Sequence, residues 1–182
     1  MKRAIITPAE LSPAALGELK DWLAITTFEE DAGLTALLRA ALELCEGFTG
    51  QMPLEATCEE LIPSGPGWQR LRTRPIQAIL SVEAVTADGS RFSLAPEDFA
   101  VALSAEGGAL VRILRQGSAG RYAVRFSAGL GSEWTDLPAG LRHGIIRLAA
   151  HQYRERENGN SGPLPPAAIV ALWRPWRQVR LI

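Results

Sequence analysis

His143 and His151 fall in a stretch that also carries Arg147 and Arg154, so the four recur at steps of 4, 4 and 3 residues on one side of an expected helix. Paired imidazoles could hold a metal or move a proton. A divalent cation there would sit beside fixed guanidinium charge, which argues against a metal centre. Ser118, Ser127 and Ser132 lie near glycines, but none stands in G-x-S-x-G and no Asp and His are placed to complete a triad. Gly117-Ser-Ala-Gly120 is too short for a phosphate loop and lacks its Lys; it reads as a hairpin turn, and Ser64-Gly-Pro-Gly67 likewise as a turn. Glu29, Glu30 and Asp31 gather where a helix begins, and capping accounts for them. Cys45 and Cys58 lack CxxC spacing and a nearby His, so buried free thiols are expected. Neither catalysis nor a cofactor is expected from these residues.

The elements around them fall into three parts. Ser12-Pro13 starts a helix over about 13–24, with Ser12 as N-cap, Pro13 at the first helical position and Leu11 placed to staple against Leu16. Thr27-Phe-Glu-Glu30 has capping-box spacing and predicts a second helix over about 28–49, whose apolar stripe runs from Leu34 through Leu38, Ala41 and Cys45 to Phe48. Between about 57 and 128 the period changes to two. Candidate strands are Thr57 to Ile62, Ile79 to Thr86, Phe99 to Leu103, Leu110 to Leu114 and Tyr122 to Ser127, with turns at Ala87-Asp-Gly-Ser90 and Glu106-Gly-Gly108. Helical periodicity returns over about 138–156, with Leu141, Ile145, Leu148 and Ala149 facing inward. The reading is α+β: a small helical bundle, an inserted antiparallel β unit over about 57–128, and an extended C-terminal arm.

The end of the chain is unusual for a solvated terminus. After a Gly/Pro-rich linker at 158–166 comes Ala167-Ala-Ile-Val-Ala-Leu-Trp-Arg-Pro-Trp-Arg-Gln-Val-Arg-Leu-Ile182. Large apolar and Arg side chains on a tether suit docking into another surface, and they also suit folding back onto the protein's own core. Composition leaves both open. A division into residues 1–157 and a docking arm over 158–182 follows from the first.

With 182 residues, 47% of them hydrophobic, the chain can bury an ordinary core. No run approaches the roughly 20 apolar residues of a membrane helix, and the start lacks a signal-peptide apolar region, so no membrane role and assembly in a cytosol are expected. Net charge is −1 but uneven: residues 1–60 carry 4 basic and 11 acidic groups, residues 139–182 carry 7 and 2. Such an acidic front and basic back suit association of copies, and solvated surfaces alone would also produce them. The chain is not basic overall and has no nucleic-acid-binding motif, which argues against specific binding of DNA or RNA. A monomeric interaction or nucleic-acid-binding module remains the alternative to assembly.

Several segments, in order, resemble the head-tail adaptor (connector) proteins of tailed phages, including the version carried by gene transfer agents. They are Leu-Lys-Asp-Trp-Leu23 closing the first helix, Leu-Cys-Glu-Gly-Phe-Thr-Gly50 closing the second, and Arg74-Pro75-Ile76 leading into Ile79-Leu-Ser-Val82. Ser127-Ala-Gly-Leu-Gly131, Leu137-Pro138, Leu148-Ala-Ala-His-Gln-Tyr-Arg-Glu-Arg156 and Arg-Pro-Trp-Arg177 complete the series. The resemblance covers nearly the whole chain.

It implies a non-enzymatic structural protein, without cofactors, assembled as a ring of commonly twelve copies beneath the portal. The ring extends the DNA channel, through which DNA passes without specific binding, and offers a platform to a stopper or tail-completion protein. On this view the C-terminal arm grips the portal, with Trp173 and Trp176 as apolar anchors and Arg174, Arg177 and Arg180 meeting portal carboxylates. His143, Arg147, His151 and Arg154 would form a basic interface stripe. Deletion beyond Asn160 would then abolish portal binding and leave a folded domain.

Overall fold

The computed structural model describes residues 3–117, 119–158 and 165–178, with side chains left aside at 157 and 158. Among them are four α-helices and two antiparallel sheets, an α+β architecture. The chain divides into two compact units, one from residues 1–9 and 55–129, the other from residues 10–54 and 130–182. The expected boundary at residue 158 is absent from this division.

The β unit contains β1 (Arg3–Thr7), β2 (Ala56–Pro63), β3 (Gln69–Arg70), β4 (Ile76–Val85), β5 (Arg91–Ser93), β6 (Phe99–Leu103), β7 (Ala109–Ile113) and β8 (Arg121–Ala128). Five strands form one sheet in the order β1-β2-β8-β4-β5, and three form another in the order β3-β7-β6. Alternation sorts the larger sheet into faces: Cys58, Ile62, Val82, Tyr122, Val124 and Phe126 are buried, while Arg125 and Glu83 stand on the polar side. There the Glu59 carboxylate takes both guanidinium nitrogens of Arg91 at 2.8 and 2.9 Å, and Arg125 lies 3.6 Å away. The Arg91 hydrogen bonds hold the Glu59 carboxyl below its ordinary range.

The five strands expected from periodicity are all present, as are the hairpin turns at Gly89 and Gly107, both at positive φ. Gly107 serves a second purpose: a Cβ there would lie 2.5 Å from Cβ of Pro75. Its carbonyl accepts the amide of Ile76, so the turn of one sheet is fastened to the entry of β4. Strands β1, β3 and β5 are additions, too short or too weakly alternating to announce themselves. The hairpin expected at 117–120 is corrected: the segment links β7 and β8, which lie in different sheets, and Ser118 is outside the described residues.

The helical unit contains α1 (Pro13–Leu23), α2 (Asp31–Thr49), α3 (Ala139–Asn158) and α4 (Ala167–Trp173). Helix α3 packs against the other three, and the core collects Leu19, Leu34, Leu38, Cys45, Trp134, Leu141, Ile145, Leu148, Ile169 and Trp173. Both cysteines are buried and form no disulfide, and burial pushes the Cys45 thiol up to about 12.

Two expected caps are corrected. Ser12 occupies the N-cap of α1 with extended backbone, but its hydroxyl makes no capping bond. Helix α2 begins at Asp31, not near residue 28, with Glu30 at its N-cap and no side-chain cap. The Glu30 carboxylate is engaged elsewhere: it accepts the Tyr153 hydroxyl at 2.5 Å and Arg156 at 3.1 Å.

Candidate functional site

Candidate surfaces on the helical unit lie along α3, and sequence explains how each side chain reaches its place. The inward face of α3 is apolar at Leu141, Ile145, Leu148 and Ala149, which leaves His143, Arg147, His151 and Arg154 toward the outside. On α1, Ala15 and Leu19 are buried and Glu18, Asp21 and Trp22 reach the surface. Between the two helices runs an open groove of about 580 Å³, lined by Glu18, Asp21, Trp22, Arg142, His143 and Ile146 among others.

The expected stripe is not a uniformly basic surface. His143 meets the edge of Trp22 with ring centroids 5.3 Å apart at 81°. Arg142, one residue away, approaches the Glu18 carboxylate at 3.4 Å. His151 lies 3.1 Å from Glu155 on the same helix, and Arg147 is half-buried. Arg154 is exposed. The structure therefore interleaves the basic positions with carboxylates and an aromatic ring. Among the described residues no group of three potential ligands could hold a metal ion.

The C-terminal segment departs most from the docking-arm expectation. Trp173 is fully buried, its indole Nε1 donates to the Leu141 carbonyl at 3.3 Å, and its ring lies 6.1 Å from that of Phe48. Gly144 makes the space: a Cβ at that position would stand 2.2 Å from the indole nitrogen. Beyond α4 the fastening continues. Gln51 donates to the Trp176 carbonyl, Gln178 donates its amide to Thr49 at 3.0 Å, and Arg177 lies over Phe48 at 5.4 Å. Arg174 and Arg177 are exposed and Trp176 is half-exposed; Arg180 lies outside the described residues. As an anchor for another protein Trp173 is already occupied, because folding back buries an indole that would otherwise face water.

A signal for this latch stood in the sequence unread. Gly140-Leu-Arg-His-Gly144 places two glycines one turn apart on α3, which opens its backbone to a large ring. The pair of Glu30 with Tyr153 and Arg156 was also missed, since 123 residues separate its members and no local pattern joins them.

No protein-family model matches the chain, and no curated protein matches it. Solved structures do. One is the neck of an empty gene transfer agent particle computed with C6 symmetry, at 25% identity and TM-score 0.81, covering 100% of this chain and 98% of that one. Another is the neck of the native particle computed with C12 symmetry, at 24% identity and TM-score 0.80, with the same coverage. A chain of the virion of the native particle matches at 26% identity and TM-score 0.76, again end to end. The end-to-end likeness to chains of gene transfer agent particles supports the connector resemblance found in the sequence.

Proposed function

We propose that this chain is a head-tail adaptor: copies form a ring, twelve in number, between the portal and the stopper or tail of a phage-like or gene transfer agent particle, and extend its DNA channel. The observation that carries the reading is the end-to-end likeness to chains from particle necks, one of them computed with C12 symmetry. A structural part has no need of a catalytic site, and DNA moving through a channel is best held by no specific contact. Assembly takes place in the bacterial cytoplasm, before the neck is complete.

Portal contact falls to the exposed rim of the C-terminal segment, Arg174, Trp176 and Arg177, with Arg180 beyond it. Arg side chains there present bidentate donors to carboxylates, and Trp176 adds half-exposed apolar area. The remaining positions on α3, Arg147 and Arg154 above all, are offered to a neighbouring copy or to the stopper. Co-expression with the portal of the same particle, followed by mass measurement and negative-stain imaging, tests the reading. A ring with an axial pore seated on the portal is expected; a chain that stays monomeric beside the portal overturns it.

A further inference from the structure

Two strands of the β unit end their sheets with apolar, exposed edges. Strand β6 reads Phe-Ala-Val-Ala-Leu103 without a charge or proline, and Val101 and Leu103 are 38% and 52% exposed. Strand β1 exposes Ile5 and Ile6 by 50% and 45%. Edges of this kind are templates for strand addition, and proteins that must stay apart usually break them with Lys, Pro or a bulge. β1 does carry an irregularity between Ile5 and Thr7; β6 pairs with β7 in unbroken register.

The ladder shows which groups of β6 are on offer. Ser104 donates to Gly108 and Leu114 donates to Asp98, so antiparallel alternation turns the amides and carbonyls of Ala100 and Ala102 toward β7. Those of Phe99, Val101 and Leu103 point outward, and among the described residues no backbone bond meets them.

The two edges lie at opposite ends of the β unit. Just after β3, the amides of Arg72 and Thr73 bond to Glu60 of β2, which sets that end of the small sheet over the β1 side. The β6–β7 turn is fastened through Gly107 to Ile76 at the start of β4, which sets β6 over the other side.

We propose that neighbouring copies join through these edges, β6 of one copy adding to β1 of the next. The occupant is a second copy because one contact then satisfies both edges. Since the edges are different and opposed, the contact is heterologous and propagates around a ring instead of stopping at a pair. Charge in the sequence favours the same match: Arg3 opens β1 with Lys2 before it in the chain, whereas Glu97 and Asp98, the latter 3.3 Å from Arg115, precede β6 and Glu106 follows it. A five-residue strand pair spans roughly 17 Å. That is too little to reach the roughly 1,200 Å² buried by a stable free pair, so closure of the ring, which holds each copy at both edges, is what makes the contact persist. The proposal rests on the ring reading above and names the surface that makes the ring.

Val101→Pro tests it, because the Val101 amide points away from β7 and its loss leaves the hairpin ladder whole. Ile5→Lys blocks the opposite edge, and Leu103→Lys gives a second block on β6 at a half-exposed position. Each variant is co-expressed with the portal, its melting temperature compared with that of the unmodified protein, and rings counted in negative stain. A drop of tenfold or more in ring yield for variants at both edges, with melting within a few degrees of the unmodified protein, is expected. Rings that form normally with folded Val101→Pro, Leu103→Lys or Ile5→Lys overturn the edge pairing and leave the ring reading standing. An unmodified protein that forms no ring overturns both.

Discussion

Trp173→Ala separates a latched C-terminus from a free one. The indole is fully buried, donates to the Leu141 carbonyl at 3.3 Å, and fills the hollow left by Gly144. Truncating a large aromatic in such a place removes its transfer free energy and leaves a cavity, a loss of about 3–5 kcal/mol. For a chain of this length each kcal/mol is worth about 2–4 °C, so the melting temperature should fall by about 6–20 °C. The assay is urea denaturation followed by circular dichroism at 222 nm, which weights the helical unit. Trp176→Ala is the internal control: its ring is half-exposed, and the bond that Gln51 donates is accepted by its backbone carbonyl and survives truncation. That variant should lose less than about 1 kcal/mol, within the usual range of surface substitutions. If Trp173→Ala also costs less than about 1 kcal/mol, the segment does not hold the core and the latch is wrong.

Other perturbations probe the same architecture. Gly144→Ala places a methyl 2.2 Å from the Trp173 indole nitrogen and should destabilise by about 1 kcal/mol, overpacking outweighing the helix propensity gained; Gly17→Ala, with nothing within 4 Å, should stabilise by about 0.5–1 kcal/mol in the same denaturation assay. Glu60→Gln leaves a buried amide facing the donors of Arg72 and Thr73, so calorimetry should show the β unit weakened by about 1–3 kcal/mol. The Glu30 carboxyl is held below its ordinary value of 4.5 by the Tyr153 hydroxyl first and Arg156 second, so its contribution is present above that value and is lost as pH falls through the lowered one. The melting-temperature gap between the unmodified protein and Glu30→Gln should accordingly close on acidification, and a gap that widens would contradict the pairing. Deletion beyond Asn160 takes Ile169 and Trp173 out of the core, so the shortened protein should bind a hydrophobic dye that the full chain ignores.

What sequence made legible follows from the range of the interactions. The periodic stripes of α2 and α3, the strand from Phe99 to Leu103 and the turns at Gly89 and Gly107 are local, and each stood in the pattern of neighbouring residues. Strand β1 did not, because Arg-Ala-Ile-Ile-Thr7 places two isoleucines side by side instead of alternating and becomes a strand by pairing with β2, 50 or more residues away. The start of α2 was misread for a related reason. Thr27 and Glu30 have capping-box spacing, but Glu30 is drawn to Tyr153 and Arg156, and a distant pair overrode a local signal. Composition could not decide between a docking tail and a folded-back tail, since both require Trp and apolar bulk. Gly140 and Gly144 decided it, by giving the ring somewhere to go.

The latch constrains how any partner engages this terminus. A partner that needed the Trp173 ring would first have to extract it, and the roughly 3–5 kcal/mol lost would weaken apparent affinity by about 10²–10³-fold or more. Binding that reads the rim instead, through Arg174, Trp176 and Arg177, meets the segment in the conformation folding has already fixed and avoids that cost. The core therefore acts as the scaffold that orients the rim. If the rim is the portal contact, Trp173→Ala should weaken portal binding as well as folding, because its buried ring holds the rim in place, and Arg174→Glu should weaken binding alone. A comparable loss of stability in Arg174→Glu would show that this part of the rim belongs to the fold and is not a surface held out for a partner.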